Sequence, residues 1–163
     1  MSLNGSQRSK GQRVKLYLDA SALNRPFDDQ SLPRNRVEAE SVVVILDMVE
    51  RGKVELISSS VLVYETLMNP FIHRREYVAS YLSMATTFVA TNATLLERAR
   101  EIERRGISAL DALHLASAAQ AEAEWFIACD DRILRRGRRG RLPVVFSIST
   151  PVEFVAERRT IDG

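Results

Sequence analysis

Five short β-prone runs, Val14 to Leu18, Val54 to Ile57, Thr87 to Ala90, Trp125 to Cys129 and Val144 to Ser147, are separated mostly by long segments of helical period. Such alternation predicts an α/β sandwich. The helical segments are Arg34 to Arg51, Ser60 to Asn69, Phe71 to Met84, Asn92 to Arg105, Ser108 to Glu122, a short Asp131 to Arg136, and Pro151 to Glu157. Asn92 reads as an N-cap, Gly106 as a helix stop, and Pro151 as a first-turn residue. Parallel strands are joined by right-handed crossovers, so each connecting helix runs antiparallel to the strands. A residue just past a strand, or in the opening turns of the next helix, therefore falls at the carboxyl edge of the sheet. Ligands bind there in open α/β folds.

The chain has 163 residues, 45% of them apolar and 27% charged, which fits one globular domain over 14–158. One Cys cannot form an internal bridge, and a reducing cytoplasm is the expected location. The longest aliphatic stretch, Val42 to Leu46, is far shorter than a membrane span, and no signal-peptide core is visible. Residues 1–13 have almost nothing to bury and read as a flexible N-terminal tail. The net charge of +2 conceals Arg132, Arg135, Arg136, Arg138, Arg139 and Arg141, whose removal leaves −4 for the rest. A cationic patch on an acidic body suits nucleic-acid phosphates; a solvated Arg-rich helix end is the competing explanation.

Four acids are placed to meet at the carboxyl edge. Asp19 follows Leu18 at the tip of the first run, although a loop-capping Asp would look the same. Asp130 ends the Trp125 to Cys129 run in the same way, and its neighbour Asp131 is the expected N-cap of the next turn. Glu65 lies within two turns of the second strand's end, where, taken alone, an acid is more often an exposed helix residue than a ligand. Asp111 opens the almost wholly apolar helix from Ser108, either as part of a variant capping box or as a site acid. Carboxylates gathered in a partly dry cleft repel one another and take up protons unless cations intervene. Mg²⁺ or Mn²⁺ resolves the conflict, and the lack of a His/Cys ligand pattern argues against structural zinc. An ion held by a few carboxylates keeps waters, one of which can attack a phosphodiester.

The segments Leu18-Asp19-Ala20-Ser21, Glu65 in its helix, Ser108 to Ala118 around Asp111, and Phe126 to Leu134 around Asp130 resemble, in order, the PIN domain over Val14 to Phe154. The resemblance implies a three-layer α/β/α sandwich with a central parallel sheet. It also implies Mg²⁺- or Mn²⁺-dependent cleavage of RNA and, in the VapC-like branch, a toxin restrained by a cognate antitoxin. Asp19, Glu65, Asp111 and Asp130 would then be metal-binding and catalytic, with Ser21 supporting the first acid. Arg132, Arg135, Arg136, Arg138 and Arg139 would contact the RNA backbone. The family often carries a hydroxyl residue two positions before the last acid, where this chain has Ala128. A catalytically weak PIN-fold RNA- or protein-binding module is the alternative.

His114, one turn past Asp111, is expected to be a buried, hydrogen-bonded core residue rather than a general base. Cys129 reads as a small core residue, Trp125 as packing, and His73 as an exposed helix edge. The segment Arg34 to Arg51 has more apolar surface than one face requires, so a homodimer partner or an antitoxin segment is expected to lie over it. A phospho-accepting receiver needs a Lys near a late strand, and an Asp-nucleophile phosphatase needs a second Asp where Ser21 stands; the chain offers neither.

Overall fold

The computed structural model describes residues 12–139 and 142–162, so most of the expected tail, and Arg141, lie outside the described residues. In chain order the elements are β1 (Val14–Leu18), α1 (Ala20–Asn24), a 3-10 turn (Arg25–Phe27), α2 (Pro33–Glu50), β2 (Val54–Ser59), α3 (Ser60–Met68), α4 (Ile72–Leu82) and β3 (Thr87–Val89). After them come α5 (Ala93–Glu103), α6 (Ala109–Gln120), β4 (Trp125–Ile127), α7 (Asp131–Arg138), β5 (Ser147–Ser149) and α8 (Pro151–Asp162).

The strands form one parallel sheet of order β3-β2-β1-β4-β5. On the central strand, consecutive residues Leu16, Tyr17 and Leu18 are all fully buried, which requires helices on both faces of the sheet. The fold is thus the three-layer α/β/α sandwich that the strand–helix alternation and the motifs anticipated. Helix α2 packs on α8, α5 on α6, and α3 on α4. No helix among the described residues is long and apolar enough to cross a membrane.

From β1 the chain steps to β2 and β3 on one side, and β4 and β5 lie on the other. The strand order therefore reverses between β1 and β4, the place where open α/β sheets bind ligands beyond the carboxyl ends. Leu18 pairs in register with Ile127, so the residues that follow each strand emerge side by side.

Two local features differ from expectation. The last strand is Ser147–Ser149, three residues later than the β-prone run starting at Val144. Pro143 has no N–H for a ladder, Val145 is fully exposed, and pairing begins only at Ser147 opposite Trp125. The loop after β1 folds into α1 because the Asp19 side chain accepts a hydrogen bond from the Ala22 amide and so caps a helical turn.

Candidate active site at the carboxyl edge

Asp19 is buried at the end of β1, its backbone N–H bonded to the Ile127 carbonyl across the sheet. Its Oδ1 accepts from Ser21 Oγ at 2.6 Å and from the Ala22 amide at 3.0 Å. Burial pushes the Asp19 carboxyl up to about 6, against the lowering effect of Ser21, the positive potential of His114 and the Ala22 amide, with Asp111 adding repulsion. Ser21 Oγ also accepts from the Cys129 amide at 3.0 Å and thereby ties the loop after β1 to the loop after β4.

Asp111 stands half-buried in the first turn of α6, where Ser108 caps the helix by accepting from the Asp111 amide at 3.2 Å. Desolvation raises its carboxyl and a hydrogen bond with Ser108 opposes the rise. Repulsion from Asp130 and Glu65 adds to it, while His114 lowers it. Asp111 is thus within electrostatic reach of the other three acids, which the sheet gathers as the topology requires.

The N-cap of α7 is Asp130, not Asp131: Asp130 Oδ1 accepts from the Arg132 amide at 2.8 Å. Asp131 instead takes both terminal nitrogens of Arg34, at 2.8 and 3.0 Å. A salt-bridge partner 97 residues away in sequence decides the roles of the two adjacent acids. Arg34 and Arg25 also donate to the Cys129 carbonyl, at 3.2 and 3.4 Å. With Ser21 on its amide and two guanidinium groups on its carbonyl, the residue before Asp130 is held on both sides. This bracing stands beside Ala128, which has no hydroxyl to give.

Glu65 points from α3 to the ring of His114, and Glu65 Oε1 and His114 Nε2 form a short contact. His114 is buried and hydrogen-bonded as expected, and its Nδ1 lies 2.7 Å from the Tyr17 hydroxyl. Cys129 is also buried, with its thiol pushed well up by desolvation, as suits a core residue. Neither the Glu65–His114 link nor the involvement of Tyr17 has a sequence signal; Tyr17 is one of several apolar-looking residues in a buried strand.

Beside Asp111 a cleft of about 370 Å³ is lined by Gly106, Ser108, Arg132, Arg135, Arg136 and Arg139 among others. Arg138 is absent from its lining and is engaged by Glu153. Four of the expected arginines therefore share this cleft with Asp111, the one of the four acids that lines it.

The donor set is wholly carboxylate and fits a hard divalent cation in chemistry. Burial raises both Asp19 and Asp111, with repulsion between the acids adding to it. Among the described residues, however, no three Asp, Glu, His or Cys side chains stand at the spacing of a closed metal shell. One oxygen each of Asp19, Glu65 and Asp130 is turned to a protein donor.

Residues 16–139 match the PIN domain, and the chain belongs to that family. PIN domains are generally nucleases. Among solved structures, the chain is similar to PAE2754 from Pyrobaculum aerophilum at 18% identity and a TM-score of 0.53, covering 91% of this chain and 90% of that one. It is also similar in fold to a chain of VapBC2 from Rickettsia felis bound to a DNA fragment from their promoter, at 12% identity and a TM-score of 0.50, covering 83% and 98%. No curated protein matches the sequence.

Proposed function

We propose that the protein is a Mg²⁺- or Mn²⁺-dependent endoribonuclease, residues 14–158 acting as one nuclease unit, and that it is the toxin of a toxin–antitoxin pair. The reading is supported by the placement of Asp19 and Asp130 at the ends of β1 and β4 beside the strand-order reversal, by the electrostatic coupling of Asp111 to the other acids, and by the arginine-lined cleft that opens from Asp111. Bound among these acids, a divalent ion supplies water activation and neutralises phosphoryl charge. Asp19, Glu65, Asp111 and Asp130 hold it, and Ser21 keeps Asp19 in place. Arg132, Arg135, Arg136 and Arg139 carry the phosphates of the strand away from the cut, and Arg138, paired with Glu153, has a lesser share.

We propose that the partner lies over α3, α4 and β3 in preference to the α2 surface expected from the sequence. Val37, Val43 and Val44 of α2 are exposed, but the broader apolar face comes from α3, α4 and the edge strand β3, with Tyr64, Leu67, Met68, Phe71, Ile72 and Phe88 all more than half exposed. A surface of this kind marks a protein contact. The fold likeness to a chain of VapBC2 supports an antitoxin as the occupant. Digestion of a defined RNA panel with Mn²⁺ and with EDTA tests the enzymatic reading. Cleavage with Mn²⁺ alone supports it, and binding without cleavage in either condition would leave the binding-module alternative standing.

A further inference from the structure

Under the acid pocket runs a buried line of hydrogen bonds that the proposed chemistry does not itself use. The Leu62 amide donates to Ser59 Oγ at 3.2 Å, Ser59 Oγ is 2.7 Å from the Tyr17 hydroxyl, and that hydroxyl is 2.7 Å from His114 Nδ1. His114 Nε2 then meets Glu65 Oε1. Ser59, Tyr17 and His114 are all at least 98% shielded from solvent, so no bulk water competes for these bonds.

The two ends fix the direction of the terminal bonds: an amide can only donate, and a carboxylate accepts. Glu65 takes the Nε2–H of His114, the opposite ring nitrogen bonds the Tyr17 hydroxyl, and that hydroxyl bonds Ser59 Oγ, which accepts the Leu62 N–H. Each polar atom of the line has a partner, and Tyr17 has a further one in Ser117. A fully satisfied buried network of this kind is rigid.

We propose that His114 is the positioning residue of the acid cluster: the relay Leu62–Ser59–Tyr17–His114 commits Glu65 Oε1 to the protein and leaves only Oε2 to a divalent cation. This rests on the reading of the four acids as a cation site. The relay is anchored in the sheet, since Tyr17 belongs to β1 and Ser59 ends β2, and it couples Glu65 on α3 to the two strands beside it. Its design resembles the outer hydrogen bonds that orient metal-ligating side chains, whose loss typically costs 10- to 100-fold in affinity.

Tyr17→Phe removes one hydroxyl and keeps the ring stacked on Phe126, 5.3 Å between centroids. Calorimetric titration of the full chain with Mn²⁺ should show affinity reduced about 10- to 100-fold in His114→Leu, reduced in the same direction in Tyr17→Phe, and partly recovered in His114→Gln, whose amide N–H can still reach Glu65. If His114→Leu does not fold, Tyr17→Phe and His114→Gln carry the comparison. Asp111→Asn serves as the control that removes a proposed ligand outright. Parent-like Mn²⁺ affinity in Tyr17→Phe and His114→Gln, with Asp111→Asn weakened, would overturn the relay and leave the cation site intact. A parent chain that binds no Mn²⁺ would overturn both. Nitrogen-15 shifts of His114 give a readout independent of metal: Nε2 should carry a hydrogen donated to Glu65, and a bare Nε2 would sink the proposal.

Discussion

Asp19 concentrates the conflict on which the site is built. Its carboxyl is raised to about 6, chiefly by burial, against about 3.9 in an unfolded chain. The folded state therefore binds more protons than the unfolded state between these values. The stabilisation from protonated Asp19 is complete below about pH 3.9 and is lost as pH rises through 6. At pH 7 and above the buried charge opposes folding by up to about 3 kcal/mol. Asp19→Asn keeps an oxygen for Ser21 and Ala22 and removes the charge, so thermal denaturation at pH 7.5 without metal should show stabilisation of roughly 1–3 kcal/mol. The gain should shrink towards pH 5. The same variant should lose RNA cleavage, and parent activity with Mn²⁺ should decline as pH falls below 6. An Asp19→Asn protein that is both less stable and fully active would contradict this account of the residue.

At the scale of elements, helix α7 and the turn before α6 shape the cleft. Gly106 has φ of 92°, a conformation that costs other residues roughly 1–3 kcal/mol, and its missing Cβ leaves room for the Arg136 guanidinium. Gly106→Ala should lower the unfolding free energy by roughly 1–2 kcal/mol and displace Arg136 from the cleft. Arg132→Gln and Arg136→Gln should weaken binding of single-stranded RNA without lowering the melting temperature. Their salt dependence should be shallower by about 0.7 in log–log slope for each phosphate no longer neutralised. Fluorescence anisotropy across a salt series measures this; unchanged slopes would remove these side chains from the strand's path.

Element by element, legibility in the sequence followed how local the cause was. Asn92 and Ser108 cap their helices because a side-chain oxygen and an amide three residues on are all that is needed. Asp19 and Asp130 were readable as strand-tip acids for the same reason. The cap of α7 was not, because Arg34 draws Asp131 away from that role. Nor could the chain from Glu65 to Tyr17 be seen, since its members lie 49 and 97 residues apart along the sequence. The start of β5 depended on which residue met Trp125 across the ladder, and β-propensity at Val144 and Val145 does not encode that.

On the scale of the whole molecule, the strand order carries the argument. The acids come from a strand end, two helices and a second strand end, and the reversal between β1 and β4 sets Asp19 and Asp130 side by side at the carboxyl edge. The apolar face of α3 and α4 is built from other residues, so activity and partner binding should separate. Leu67→Asp with Phe71→Asp should retain Mn²⁺-dependent cleavage while escaping inhibition by the proposed antitoxin, as followed in a two-component cleavage assay. Inhibition equal to that of the parent would move the partner elsewhere on the surface.

The central claim is that these four carboxylates close around a divalent cation. A crystal structure of the protein soaked in Mn²⁺, with the ion located by its anomalous scattering, is the most direct measurement. The account predicts a peak bounded by Asp19, Glu65, Asp111 and Asp130, with the Glu65 oxygen nearer His114 facing away from it. A peak elsewhere, or none with the acids left apart as they stand, would contradict it.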